Sequence, residues 1–252
     1  MELVKESLEE GVYTIILNRP DKRNALNSDL LKSLKKSVYN AEKTDSSIVV
    51  LRGSGNFFSA GGDIKEFVDA HDSKARIDGM AMILNEIIKK IRTMPKIWIS
   101  VIEGGIVGAG IGLALACDLT IASKSSYLNL GYRRIGLTPD GGVTIFLSRI
   151  LGLKRTNELY LLSENIPIEK AYDMGLINFV VEDRDLDSVL QKLIADLKAL
   201  PLHVLGPYKE LINASIFPDL STLLEKERYF VSEMADEPSF KETIKKFLTK
   251  KG

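Results

Sequence analysis

The sequence predicts an α/β core built on a mostly parallel sheet, followed by a region that is almost all helix. Three observations carry this. Strand-like and helix-like runs alternate from the N-terminus to about residue 122, the pattern of parallel strands joined by crossover helices. The stretch 101–118 places glycines at 104, 105, 108, 110 and 112 directly after the apolar run 97–102, as when a strand ends at a tight corner and restarts as a helix. Beyond residue 142 the apolar period is helical nearly throughout, with one strand at 178–181.

Residues 3–8 and 12–17 read as two strands of a hairpin closed by Glu9, Glu10 and Gly11,. Pro20 and the turn formers of 18–27 break the second strand. Leu30, Leu31, Leu34, Val38 and Ala41 then share one helical face,. The apolar run 47–51 predicts a buried strand, and 53–62 a loop. Asp63 reads as the N-cap of a helix, with Glu66 three residues on completing a capping box,. Met80, Ile83, Leu84, Ile87, Ile88 and Ile91 mark an amphipathic helix that stops before Pro95,. A strand at 97–102, the glycine corner, a helix to about 116 and a strand at 118–122 follow. Helices are then expected at 142–150, 153–162, 168–174, 186–199, 203–213, 220–234 and 238–249. No linker, low-complexity tract or repeat interrupts the chain. The natural division falls near 200, with a core in 1–200 and a helical region in 201–252.

Composition excludes several function classes. The 252 residues carry 34 Lys and Arg against 34 Asp and Glu. Zero net charge supports neither a nucleic-acid nor a membrane-surface partner and slightly favours self-association. The lone cysteine, Cys117, permits no intrachain disulfide,. With only His71 and His203 beside it, no zinc cluster forms,, and both histidines read as solvated or structural. The N-terminus shows neither a signal h-region nor an Arg-rich presequence, and Lys250-Lys251-Gly252 is not a peroxisomal address,. The expected location is cytoplasmic.

The glycine corner admits several readings. Residues 97–117 hold one charge, Glu103, and are long enough to span a bilayer,. Five glycines and the absence of an aromatic or basic flanking belt oppose that. A dinucleotide-binding turn would need glycine where Leu113 stands and an acid about 20 residues further on, where none sits,. Close packing of a buried helix remains open. So does a ligand site, because such a corner turns backbone N–H groups toward an anion, or toward an oxygen that becomes one.

Four stretches stand out together: 18–27, 57–65, 101–118 and 136–142. Two of them put small residues at loop-to-helix junctions, near 62 and near 109. Two N–H groups meeting from such junctions make an oxyanion hole, as an enolate requires. The motifs Asn18-Arg19-Pro20, Arg23-Asn24-Ala25-Leu26-Asn27, Phe58-Ser59-Ala60-Gly61-Gly62-Asp63-Ile64-Lys65, Pro95-Lys96, 108–118, Pro139-Asp140-Gly141-Gly142, 171–178 and 239–248 run the length of the chain. In that order they resemble the crotonase (enoyl-CoA hydratase/isomerase) superfamily. The resemblance implies a spiral of ββα turns with a C-terminal helical trimerisation region, assembled as a homotrimer or a dimer of trimers. It implies an acyl-CoA thioester substrate, so that coenzyme A enters as part of the substrate, with no separate cofactor and no metal. On the matching positions the oxyanion hole is the backbone N–H of Gly62 and of Ala109. Arg23, Ala25, Ala60, Asp63, Ile64 and Lys65 would hold the coenzyme A moiety, although Arg23 and Lys65 also read as ordinary solvated cations. Phe247 or Lys245 could reach a neighbouring subunit's coenzyme A.

The departures from the family pattern decide which chemistry to expect. The resemblance places a hydratase's two glutamates at positions that here are Gly112 and Tyr132, and no glutamate occurs anywhere in 104–157. Each missing acid–base group is worth roughly 10²–10⁴-fold. Asp140 is the acid that remains. Superfamily members with aspartate here use it as the base of an enoyl-CoA isomerisation or as the nucleophile in dehalogenation of an aromatic acyl-CoA. The expectation is an isomerase with Asp140 as proton shuttle; the alternatives are a hydratase with atypical acid–base residues and an acyl-CoA-binding protein without chemistry. Against the first stands a structural role for Asp140 as the N-cap of the helix from 142. Tyr132 could line the acyl pocket or donate a hydrogen bond, and Glu103 reads as a structural hydrogen-bonding group.

Overall fold

A computed structural model describes residues 2–249; Lys250-Lys251-Gly252, read above for a targeting signal, lies outside them. The chain opens with the expected hairpin: β1 (Val4–Glu9) and β2 (Val12–Leu17) pair antiparallel. Glu10 (φ 48°) and Gly11 (φ 76°) supply the left-handed turn that matches strand twist,. Asn27 caps α1 (Ser28–Glu42), its side chain accepting the Leu30 N–H, and the buried stripe of α1 contains the five predicted apolar residues. The chain continues through β3 (Ile48–Gly53), α2 (Ile64–Asp69), α3 (Ser73–Thr93) and β4 (Ile97–Ile102). α3 begins well before its apolar run because Asp72 caps it through the Ala75 N–H, in a stretch polar enough to read as loop,.

The glycine corner folds differently from its reading as a strand that turns directly into a helix. A short strand, β5 (Gly105–Val107), stands between β4 and α4 (Ala109–Ala116). β6 (Leu119–Ser123) and β7 (Tyr127–Asn129) follow, then α5 (Val143–Leu162), β8 (Ile166–Pro167), α6 (Ile168–Asp173) and β9 (Phe179–Val181). The strands β5, β7 and β8 form a second sheet of three, none of which the sequence predicted. Strands of two or three residues offer too little period to read. The main sheet has the order β1-β2-β3-β4-β6-β9, parallel from β2 onward. Its central strand β4 is buried along its whole length, which accounts for its unbroken apolar sequence. α5 is broken by Gly152 (φ 71°, ψ 175°), so the two helices predicted at 142–150 and 153–162 are its two halves.

The chain ends in α7 (Leu186–Lys198), α8 (Leu205–Ile216), α9 (Leu220–Asp236) and α10 (Phe240–Thr249). Leu186, Leu190 and Ile194 of α7 cover one sheet face, against Ile48, Val50, Ile99 and Ile121. The other face carries the main core, which Leu224, Val231, Phe240 and Ile244 of the last helices join. The helices past residue 200 therefore share the core of the first 200 residues and do not build their own. α9 lies along α3, where Asn85 Nδ2 donates to Leu224 O (3.0 Å) and Arg228 pairs with Asp78 (2.8 Å). On α8 the buried Lys209 amine donates to the carbonyls of Ile91 and Lys96 and pairs with Asp118 at 2.8 Å. Among the described residues no helix is long and apolar enough to cross a membrane.

Candidate active site

Two loops are pressed together by backbone hydrogen bonds. Phe58 N donates to Glu103 O, Ser59 N to Gly105 O and Val107 N to Ser59 O, which docks the 57–62 loop onto β5. Gly61 (φ 78°) packs so closely that a Cβ there would lie 2.8 Å from Val107 O and 3.3 Å from Gly108 Cα. The residues that follow, Gly62 and Ala109, are thereby brought to the same cavity wall. Among the described residues neither the Gly62 N–H nor the Ala109 N–H donates a hydrogen bond. For Ala109 the reason is its place as the first residue of α4, where helix amides have no internal acceptor,.

The cavity measures about 780 Å³ counted to its open mouth. Its wall is hydrocarbon: Leu26 and Phe67 beside the loops, Met80 and Leu84 from α3, Ile135 below, and Val231 from α9. Among the described lining residues only Asp140 and Tyr132 carry titratable side chains.

Asp140 sits on a turn whose next two residues, Gly141 (φ 63°) and Gly142 (φ 80°), are both left-handed. Its carboxyl is not the cap of α5. The Gly142 and Thr144 N–H groups are taken instead by Glu227 of α9, at 2.6 and 2.9 Å. Asp140 Oδ1 accepts from the Tyr132 hydroxyl at 2.8 Å, while its carbonyl accepts from the same hydroxyl and from Val143 N. Burial pushes the Asp140 carboxyl up to about 6, and the Tyr132 hydrogen bond opposes part of that rise,. Tyr132 is pushed well above its ordinary 10 by burial and then by the Asp140 charge, so it stays protonated and donates. Glu227 rises to about 7 through burial, against the donors from Thr144 and Gly142. Tyr132→Phe is expected to move the acidic limb of the kcat/KM–pH profile upward from about 6, because it removes the bond that favours the ionised carboxylate,. An unmoved limb in Tyr132→Phe would separate the phenol from the titrating group.

Position 112 is closed to any side chain. A Cβ on Gly112 would fall 1.9 Å from Gly141 O. The turn that carries Asp140 occupies the space that an acid at 112 would need.

The other sequence-predicted residues fall into two groups. Ala60 and Ile64 line the cavity beside Gly62 and Ala109; Arg23, Ala25, Asp63 and Lys65 do not. The Arg23 guanidinium stacks over the Phe57 ring, 5.6 Å from its centroid, and Ala25 O accepts from Arg19. Asp63 accepts from the Lys65 and Glu66 N–H groups and pairs with Arg19 at 2.7 Å. The Lys65 side chain is 80% exposed. The capping box read at 63–66 is only half formed. Glu66 turns away to accept from Ser28 N and pair with Arg76, and Asp63 N donates to Leu26 O instead. Glu103 pairs with Arg52 at 2.8 Å, outside the cavity. Phe247 lines the cavity of its own chain, and the Lys245 side chain is exposed. Glu227 is the functional-site residue that sequence reasoning missed. A single glutamate in an amphipathic run carries no signal that it reaches a turn 85 residues away.

The enoyl-CoA hydratase/isomerase family model matches residues 7–252. The chain belongs to that family. It is 31% identical to the 1,2-epoxyphenylacetyl-CoA isomerase of Escherichia coli (strain K12), over all of this chain and 97% of that protein. It is 30% identical to 4-chlorobenzoyl coenzyme A dehalogenase-2 of an Arthrobacter species, over 96% of this chain and 88% of the relative. Among solved structures, an enoyl-CoA hydratase from Mycobacterium avium subsp. paratuberculosis K-10 superposes with a TM-score of 0.89 at 27% identity, covering 97% of this chain and 98% of the other. The architecture is thus the crotonase fold with its C-terminal helical region. Members with three different activities lie at similar distances, so identity does not choose among isomerase, hydratase and dehalogenase. The choice rests on the site.

Proposed function

We propose that the protein is an enoyl-CoA isomerase in which Asp140 moves one proton along the acyl chain. The observation that carries this reading is a hydrocarbon-walled cavity with a single carboxyl, next to two backbone amides that have no acceptor among the described residues. Asp140 takes a proton from C2 of a 3-enoyl thioester. The electron pair spreads through the dienolate to the thioester oxygen, which accepts from the Gly62 and Ala109 N–H groups. The carboxylic acid then returns the proton at C4, leaving the double bond between C2 and C3. One group serves both steps because the proton leaves and returns on one face. A carboxyl near 6 is basic enough to take the proton and acidic enough to give it back,. Hydration would need further acid–base groups, and the Gly112 position that resembles one of them is closed by Gly141 O. Dehalogenation would need a second base to activate water once Asp140 is esterified. The other titratable lining group, Tyr132, is held protonated.

Coenzyme A enters as part of the substrate, with its phosphates near Arg23 and Lys65 and its pantetheine arm along Ala60 and Ile64. Exposed apolar side chains on α5, α8 and α9, among them Leu161, Leu162, Tyr208, Leu211 and Phe230, fit contacts with further copies in a trimer or a dimer of trimers. The testing experiment offers the purified protein a 3-enoyl-CoA and a 2-enoyl-CoA separately. Conversion of the first to the 2-enoyl thioester, with negligible water addition to the second, is expected. Rapid hydration of the 2-enoyl substrate would overturn the isomerase reading.

A further inference from the structure

Asp140 follows a proline and stands two residues before Gly142, the N-cap position of α5, where an acid is favoured beside the first helix amides,. Here the amides it would serve are already occupied. Glu227 Oε2 accepts from Gly142 N at 2.6 Å, and Oε1 accepts from Thr144 N at 2.9 Å and from the Thr144 hydroxyl. Gly142 has no side chain with which to cap α5. The carboxylate that does so comes from another helix, and Glu227 itself is only 7% exposed. Its helix is fixed in register: one residue on, Arg228 pairs with Asp78 of α3, and one turn on, Val231 forms part of the cavity wall.

We propose that Glu227 is the positioning residue for Asp140: by capping α5 from the neighbouring helix, it keeps the Asp140 carboxylate off the α5 amides and in the cavity. This rests on Asp140 being the base of the proposed isomerisation. Negative charge at a helix N-terminus is favourable and the free amides demand an acceptor. Without Glu227, the carboxyl in sequence reach of both is Asp140, two positions before Gly142 and the one carboxyl among the described cavity-lining residues. Rotation onto Gly142 and Thr144 would satisfy the helix and empty the cavity of its base. Among the described residues the titratable groups facing Asp140 are Tyr132, from the turn before it, and Glu227; α3, α4 and α10 present Leu84, Ala109 and Phe247 to the same space.

The test compares Glu227→Ala, Glu227→Gln and Asp140→Asn, with the double variant Asp140→Asn/Glu227→Ala, in the intact protein on a 3-enoyl-CoA. Glu227→Ala is expected to lower kcat by about 100-fold, the scale of a small misplacement of a catalytic group, with KM little changed. The acidic limb of its kcat/KM–pH profile should move to lower pH, because a carboxylate that accepts amide N–H groups holds its proton less tightly. Glu227→Gln keeps the shape and one acceptor oxygen and should fall between; it also serves if the alanine variant does not fold. In the Asp140→Asn background, losing Glu227 should cost no further activity. Folded Glu227 variants that keep wild-type kcat and an unmoved acidic limb would reduce Glu227 to a structural cap and overturn the inference, leaving Asp140 as base untouched. An active Asp140→Asn would instead remove the isomerase reading beneath it.

Discussion

Asp140→Asn is expected to abolish isomerisation and to make the protein more stable. Both effects follow from burial of one carboxyl in a hydrocarbon cavity. In the proposed isomerisation one group takes the proton and returns it, so its loss would remove acid and base together, a fall of at least roughly 10³-fold in kcat. Substrate binding should survive, because the Gly62 and Ala109 amides and the apolar walls are unchanged. The stability effect has a defined pH course. The native carboxyl titrates at about 6, above its ordinary 3.8. Between those values the folded protein holds a proton that the unfolded chain has released, so stability falls as pH rises through that interval and stays lowered above it. Asparagine carries no such charge. The variant's advantage should therefore be absent near pH 4, grow to about pH 6 and persist at pH 8, where it amounts to roughly 2–3 kcal/mol. Thermal melts of both proteins at pH 4, 6 and 8 would show it, and equal melting temperatures at pH 8 would contradict the burial argument. Gain of stability with loss of function is the signature of a charge kept in the cavity for chemistry.

How far the site could be read beforehand differs residue by residue, for physical reasons. That Gly62 and Ala109 come close together was legible because tight loop-to-helix junctions demand small residues, and those leave a pattern in the chain,. Asp140 was legible as an acid in a stretch without glutamates, but its role was not. An aspartate between a proline and a helix looks the same whether it caps the helix or faces a cavity. In the fold the first α5 amides go to Glu227, which reaches the turn because α9 packs along α3; periodicity says that α9 is amphipathic and nothing about what its one buried acid touches. Glu66 makes the same point on a smaller scale. Its spacing from Asp63 fits a capping box, yet tertiary packing gives it the start of α1 instead. The long elements of the main sheet and its helices were visible because each repeats its period several times. β5, β7 and β8 were not, since their pairing partners, not their own residues, make them strands.

Gly112→Ala is expected to be among the most damaging single methyl additions the chain can receive, and to inactivate it. The added Cβ would need to lie 1.9 Å from Gly141 O, whereas even a tight contact requires about 3 Å,. One side must move by about 1 Å, and neither is free to do so. α4 is buried on almost every residue and its amide end forms the cavity wall. The 139–142 turn is fixed by two left-handed glycines, by Leu84 packed against Gly141, and by Glu227 bound to Gly142. A cost of about 3 kcal/mol or more is expected, at the upper end for overpacking in a rigid site, read as a lower urea midpoint at unchanged slope. Whatever fraction folds should be inactive, because relief of the clash displaces Asp140. Gly79→Ala is the matched control. It lies inside α3, where an added Cβ meets nothing within 4 Å, and it should stabilise by about 0.5–1 kcal/mol through helix propensity alone. A Gly112→Ala protein as stable and active as the Gly79→Ala protein would mean that the turn can yield. The space at 112 could then accept a side chain, and an acid grafted there would become a fair route to hydration. If the turn holds, Gly112→Glu gives no hydratase, because the carboxylate that distinguishes the two chemistries has no room beside the turn that supports Asp140.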